Sequence, residues 1–363
     1  MFSSMGQAQH ARRGILLTFI IALCSLAAGP GDFQQAVTPR QWDFPRDHGR
    51  HDGFKLEWWY FTGNIHDSAG HRFGYQLTFF RSAMAPEKPD RASPWAMNDL
   101  YFAHAAVSDI DSKKFLYKDR LERSRPGLAW SSDQTMDVSL LDWSAKMTDG
   151  KIYLKCNEKD FSIDLVCSQG RGPVLEGPGG VNVKGHEQGQ ASYYYSITRL
   201  KTAGTLTMNA QVVHVEGLSW MDHEFSSDAL ATNQVGWDWM GLQLDDGADL
   251  MIYRMRDRNG STDYLSGTEI SNEGQPHYLS DAQIHIKGDL PWKSAASGAD
   301  YPQRWNIAIA GRSPLVVTSD MPGQELLTNA STKVDYFEGA ATVRNESGKH
   351  LGQGYLEMTG YAK

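Results

Sequence analysis

Leu56-Glu57-Trp58-Trp59-Tyr60-Phe61-Thr62-Gly63-Asn64-Ile65 sets how this chain is read. Aromatic and β-branched residues crowd it, as they do on a pleated, half-buried surface. Read as a strand, it sends Trp58 and Tyr60 one way and Glu57 and Trp59 the other. The turn Asp67-Ser68-Ala69-Gly70 follows, and a second alternating run begins at Phe73. Further outward the same period returns over residues 100–109, 192–200, 206–215, 237–244, 250–255, 305–310 and 355–361. Turns such as Asp245-Asp246-Gly247 and Arg258-Asn259-Gly260 separate the runs. No segment keeps a three-to-four spacing beyond about three turns. The chain is therefore expected to be all-β, an antiparallel sandwich or barrel with little helix.

Composition narrows the function classes. The chain has 363 residues, 35 Lys+Arg against 43 Asp+Glu, and a formal net charge of -8. An acidic balance argues against a nucleic-acid partner, which needs a basic face. At 40% hydrophobic and 21% charged residues it is neither disordered nor fibrous. The length suggests two domains.

Residues 1–29 have the layout of an export signal: Arg12-Arg13, an apolar run from Gly14 to Gly29, and small Ser25, Ala27 and Ala28 near its end. Export to the periplasm or beyond is expected, by the general route rather than the twin-arginine one. Lipidation at Cys24 is not expected, since Leu23 precedes it. Residues 30–53 read as an irregular N-terminal segment. A division near Gly217 is expected, giving an N-terminal barrel over 54–217 and a C-terminal one over 218–363. Cys156 and Cys167 lie on a hairpin about Asn157-Glu158-Lys159-Asp160, where a two-residue loop at 158–159 would pair position 156 with 161. That keeps the sulfurs too far apart to bridge, so two buried free thiols are expected.

Trp220-Met221-Asp222-His223-Glu224-Phe225 is the densest polar cluster. Two acids and an imidazole between aromatics can give a proton and take one back, because burial raises carboxyl pKa values. Asp222, His223 and Glu224 are thus candidate catalytic groups. His104, on a strand with Leu100, Phe102 and Ala106, is a further candidate, though a lone His on such a face is more often a hydrogen-bonded core residue. In Trp237-Asp238-Trp239 both indoles share one face, fit to stack a flat or polyene ligand and stabilise a cation. Asp238 shares the other face with Met240, Leu242 and Leu244, so it must be paired or protonated. Trp58, Trp59, Tyr60 and Tyr194 complete the candidate binding residues. Glu338 and Glu357, also on aromatic strands, read as structural.

Absent motifs matter too. There is no G-x-S-x-G elbow, no P-loop and no G-x-G-x-x-G between strand and helix. His223-Glu224 is half of a zinc protease motif, but Ser227 stands where the second His is needed. No metal, zinc included, and no cofactor is expected.

Glu57-Trp58-Trp59-Tyr60-Phe61-Thr62-Gly63, Ala103-His104-Ala105-Ala106, Tyr193-Tyr194-Tyr195-Ser196, Trp220-Met221-Asp222-His223-Glu224 and Gly236-Trp237-Asp238-Trp239 occur in order. Tyr301-Pro302, Gln324-Glu325-Leu326, Phe337-Glu338-Gly339-Ala340 and Gly354-Tyr355-Leu356-Glu357 follow. In these pieces the chain resembles the AttH-type, lipocalin-like family that includes carotenoid hydratases. The resemblance implies two tandem lipocalin-like antiparallel β-barrels with an inter-domain cleft. It also implies a hydrophobic, isoprenoid- or lipid-like small molecule as ligand, with hydro-lyase or isomerase chemistry on it. Relatives linked to ABC transporters imply the alternative of a non-catalytic carrier serving transporter components. The loose family label of secreted hydrolase keeps a glycosidase in view. The family strand reads Tyr-Trp-Glu-Gly where this chain has Tyr336-Phe337-Glu338-Gly339.

Overall fold

The structure, a computed structural model, describes residues 32–86, 97–168, 170–227 and 230–362. The expected signal at 1–29 lies outside the described residues. All described regular structure is strand apart from three single 3-10 turns, at Arg46–His48, Pro178–Gly180 and Asp281–Gln283.

The strands form two curled antiparallel sheets, a barrel and a half-barrel. The first has 13 strands and runs from Leu56 to Ser226; the second has 10 and runs from Gln234 to Thr359. The sheets change over after Ser226, later than the expected boundary. The strand Gln211–Ser226 passes straight through Gly217 and pairs with Leu56–His66 from Glu216 to Ser226. The polar residues 222–224 are buried ladder members, not the start of a new unit, so the first barrel keeps them.

Each sheet closes over its own core. Trp59, Phe61, Tyr75, Phe79 and Trp143 fill the first, and Ile252, Tyr301, Trp305, Val317 and Phe337 the second. Neither interior is an open calyx; side chains occupy it, as in small barrels. A third cluster, with Tyr60, Tyr194, Trp220, Trp239, Met251, Tyr253 and Tyr355, draws on both sheets. It is the seam where the outer faces meet, and it explains why residues 58–61 are apolar on both faces. One face enters the barrel core and the other is covered by the second barrel, so alternation gives way to a continuous run. Gly74 permits the closest approach: a Cβ there would stand 2.9 Å from the Cβ of Ala340.

Hydrogen bonds lock the seam. Asn64 Nδ2 donates to the Gly354 carbonyl at 3.0 Å and Ser108 Oγ to Gln324 Oε1 at 2.6 Å. Asp249, fully buried in the second barrel, accepts from Arg171 Nη1 at 2.8 Å and is ion-paired with Arg199 Nε at 2.8 Å. Cys156 and Cys167 are both buried free thiols, as expected. Their hairpin closes differently: Cys156 pairs with Ile163, because Glu158 N–H bonds the Phe161 carbonyl and the loop sits at 159–160.

Candidate functional site

Antiparallel pairing brings same-face residues of neighbouring strands into rows. One such row lies on the outer face of the first barrel. Tyr194 pairs with Glu224, Glu224 with Trp58, Trp58 with Phe80, Phe80 with Phe102, and Phe102 with Leu121. All six line a cavity of about 810 Å³ at the seam. Five inter-strand steps of about 4.8 Å make the row about 24 Å long. It starts among buried acids and ends at Leu121, 41% exposed, beside Val334, 40% exposed. The site is a trough with a polar inner end and an apolar mouth.

The second barrel supplies the opposite wall. Trp239 pairs with Glu357 and with Tyr253, Trp237 with Met255, and Glu357 with Glu338. Every one of these faces the trough. The walls touch at the inner end: Tyr60 O–H donates to Glu338 Oε2 at 2.9 Å, and Trp239 Nε1–H to Tyr194 Oη at 3.1 Å.

The carboxyls at this end are held unusually protonated. Asp222 is 3% exposed; burial pushes it up to about 7, with Glu224 adding to the rise and hydrogen bonds from Ser196, Trp220 and Tyr194 restraining it. Ser196 Oγ lies 2.6 Å from Asp222 Oδ1 and 2.9 Å from Glu176 Oε1. One hydroxyl has one proton to give, so one of these two carboxyls must itself be a proton donor. Glu176, wholly buried behind the wall, is pushed by burial up to about 8. Burial likewise brings Glu357 up to about 7, against the restraint of the Trp237 indole and Lys184. Burial, and then the neighbouring Glu357, hold Glu338 well above the ordinary carboxylate range. Glu224 is ion-paired with Lys184.

The expected trio does not act as one group. Strand alternation turns Asp222 and Glu224 to the trough and His223 to the opposite side, into the barrel wall. There His223 Nε2 bonds Glu57 Oε1 at 3.0 Å, His223 Nδ1 bonds Tyr195 Oη at 3.1 Å, and the ring stacks on Trp59. Trp59, 1% exposed, is a core residue bound to the His48 carbonyl and not a trough residue. Asp238 is also off the trough: it is fully buried and clamped by Arg254, Arg256 and Tyr361 O–H. An acid on that inner stripe had to be paired, and it is. His104 stands behind the mouth. Its Nδ1 bonds Tyr336 Oη at 2.6 Å and its Nε2 bonds Ser331 Oγ at 2.8 Å, tying the barrels together. Ser331 donates to Asp119 Oδ2 at 2.8 Å, so His104 Nε2–H donates to Ser331 and no free base remains there. Trp58, Tyr60, Tyr194, Trp237, Trp239, Asp222 and Glu224 do line the trough.

Glu338 and Glu357, read from the sequence as structural, line the trough, as does Lys184, and Glu176 stands behind it at Ser196; the sequence reading singled out neither Lys184 nor Glu176. Glu338 and Glu357 carried a signal, an acid on an aromatic strand. Lys184 carried none, since only the tertiary fold brings it over the rings of Trp58, Tyr194 and Tyr253.

Among the described residues, one group has the spacing of a metal cage: His51, Glu57 and His223, with ligand atoms within 4.8 Å of one another. Its donor set fits a hydrogen-bonded clasp better. Glu57 takes the His51 backbone N–H at 3.0 Å, His51 Nδ1 at 2.8 Å, His223 Nε2 at 3.0 Å and Arg81 Nη1 at 3.3 Å. Burial alone would raise Glu57, but the hydrogen bonds of His223 and His51 outweigh it and hold the group below the usual carboxylate range. The clasp continues through His51 Nε2 to Asp47 Oδ1 at 3.1 Å and fastens residues 32–53 to the first barrel.

Residues 35–361 match the model of the AttH-like family. The chain is similar to the crystal structure of an AttH-assigned protein from Nitrosomonas europaea. The two share 32% identity and a TM-score of 0.83 over 91% of this chain and 100% of that one. It shares its fold with kievitone hydratase from Nectria haematococca at 15% identity and TM-score 0.68, over 93% and 98% of the two chains. It also shares it with CghA bound to Sch210972, at 10% identity and TM-score 0.51, over 85% and 89%. No curated protein matches the sequence significantly.

Proposed function

The chain belongs to the AttH-like family, and from that premise we propose that it binds an elongated hydrophobic, isoprenoid- or lipid-like molecule in the seam trough and adds water across a carbon–carbon double bond of it. The observation that carries this reading is the carbon-walled cavity of about 810 Å³ whose inner end holds Asp222 within 2.6 Å of Ser196 Oγ. Pockets of that size and character suit apolar small molecules. A trough about 24 Å long fits an extended chain of roughly twenty carbons.

Asp222 is the proposed acid. In its neutral form it protonates the alkene, and the cation that forms lies among Trp58, Trp237, Trp239 and Tyr253, whose ring faces stabilise positive charge. Glu176 returns a proton to Asp222 through the Ser196 hydroxyl. Kievitone hydratase shares the fold and is by name a hydratase, which is consistent with this chemistry. The place of action, on the reading of residues 1–29, is outside the cytoplasm.

A second reading, carriage without chemistry and delivery to transporter components, is favoured by the exposed apolar mouth at Leu121 and Val334. A sugar substrate is disfavoured, because the trough walls offer a saccharide few hydrogen-bond partners along their length. Native mass spectrometry of protein from its own host, followed by turnover of the co-purified molecule, separates the readings. Hydration by the wild type and its loss in Asp222→Asn supports the enzyme; release of an unaltered molecule from both proteins supports the carrier.

A further inference from the structure

Glu338 and Glu357 are directly opposed in the antiparallel pair Asp335–Arg344 and His350–Thr359, and both side chains face the trough. Cross-strand neighbours on one face have Cβ atoms about 5 Å apart, within reach of a shared proton or a common water. Glu338 is fully buried and Glu357 half-buried, with Trp239 completing the row beside Glu357. Glu338 commits one oxygen to the Tyr60 hydroxyl at 2.9 Å. Its other oxygen, Oε1, is buried and has no hydrogen-bond partner among the described residues. A buried carboxyl oxygen left so is destabilising unless a ligand or water meets it. Glu338 lines the cavity, where the Tyr60 hydroxyl ties it to the wall of the first barrel.

We infer that Glu338 and Glu357 form a proton-sharing carboxyl dyad that holds the attacking water and takes its proton, facing the acid Asp222 across the bound alkene. This rests on the hydratase reading of the trough and assigns its second half. Two carboxyls in one apolar site cannot both ionise, so the pair carries one negative charge and one proton. That form suits water addition, since the charge faces the nascent cation and the carboxylate is the base.

The step balances. The alkene π pair forms a C–H bond to the Asp222 proton and leaves a cation on the adjoining carbon. A water lone pair closes the C–O bond there, and the water's proton passes to the dyad. Glu176 restores Asp222 through Ser196 and regains a proton from solvent between turnovers, as the dyad returns its own to solvent. The substrate class follows: a double bond that gives a tertiary cation, in a chain without a charge near the reacting carbons, since an anion would meet the dyad.

The test uses the full chain in D2O with geranylgeraniol as probe, and tryptophan quenching to report binding. A cation formed by Asp222 either loses a proton, leaving deuterium in the recovered alkene, or captures water. Wild type is expected to give both deuterated probe and hydrated product. Asp222→Asn should lose both about 100-fold or more, the scale of a general acid. Glu338→Gln and Glu357→Gln should lose hydration by a similar factor while still incorporating deuterium. Hydration at the wild-type rate in both Glu variants overturns the dyad and leaves the hydratase reading intact. Binding without deuterium uptake or hydration in the wild type overturns the hydratase reading, and the dyad's role with it. A ligand-free measurement guards against misfolding. Infrared titration should show carboxylic acid C=O absorption at pH 7 that Glu338→Gln reduces by one group, and the Glu338 component should move to a lower pH midpoint in Glu357→Gln. Independent titration of the two groups refutes the sharing.

Discussion

Ligand affinity should fall steeply as pH rises through neutrality, and the trough fixes both the sign and the size. Asp222 stands on the trough wall, brought by burial to about 7. An uncharged chain laid against it removes what water it keeps, which penalises the ionised form further. The ligand therefore binds the form in which Asp222 is neutral and is linked to its proton uptake. A carboxyl that must be neutral contributes a limiting slope of about one decade of affinity per pH unit above its pKa. That gives a loss of roughly 100-fold between pH 7 and 9. Below about pH 6 the affinity should level off. The assay is tryptophan quenching by geranylgeraniol, neutral over the whole range, at half-unit steps from pH 5 to 9. Asp222→Asn should reduce the slope by about one. An affinity constant within twofold from pH 6 to 9, or a slope unchanged in Asp222→Asn, refutes the reasoning. Such a result would mean that the ligand does not cover this group.

Asp222→Asn should also stabilise the fold in alkali. The folded-state value lies above the ordinary aspartate value of 3.8, so this group's contribution is lost as pH rises from about 4 through about 7. Removing the ionisation should return up to roughly 4 kcal/mol at pH 9 and little at pH 4, read by urea midpoints at the two pH values. Glu57→Gln should do the reverse at neutrality. It strips the charge from a fully buried acceptor of His51, His223 and Arg81 and should cost about 3–5 kcal/mol by urea unfolding. The wild-type contribution of Glu57 is present above about pH 4.5 and fades below it, because its folded value is depressed. Lys184→Met removes a cation that restrains Glu357, so the infrared pH midpoint of the Glu338–Glu357 pair should move upward; no movement would mean that Lys184 does not act on the pair. His104→Ala should speed proteolysis in the 328–334 segment, freed from its tie to Ser331, while quenching by the probe persists.

The strands were legible along the chain, and for a local reason. A side-chain period of two is written residue by residue, so 56–65 and 237–244 declare their faces without reference to any partner. The same period settles which neighbours must part: Asp222 from His223, Trp58 from Trp59, Trp237 from Asp238. Asp222, Trp58 and Trp237 were therefore each legible as residues of one outward face, while a polar motif read as a unit concealed that His223 serves the clasp. Which outward face would be covered was not written in any one segment. That Glu338 lies against Glu357, that Lys184 reaches Glu224, and that Tyr60 meets Glu338 across two barrels are facts of register and docking between distant segments. Register fixes which strands oppose, and the burial created by docking turns ordinary surface carboxyls into acids that keep their protons at neutral pH.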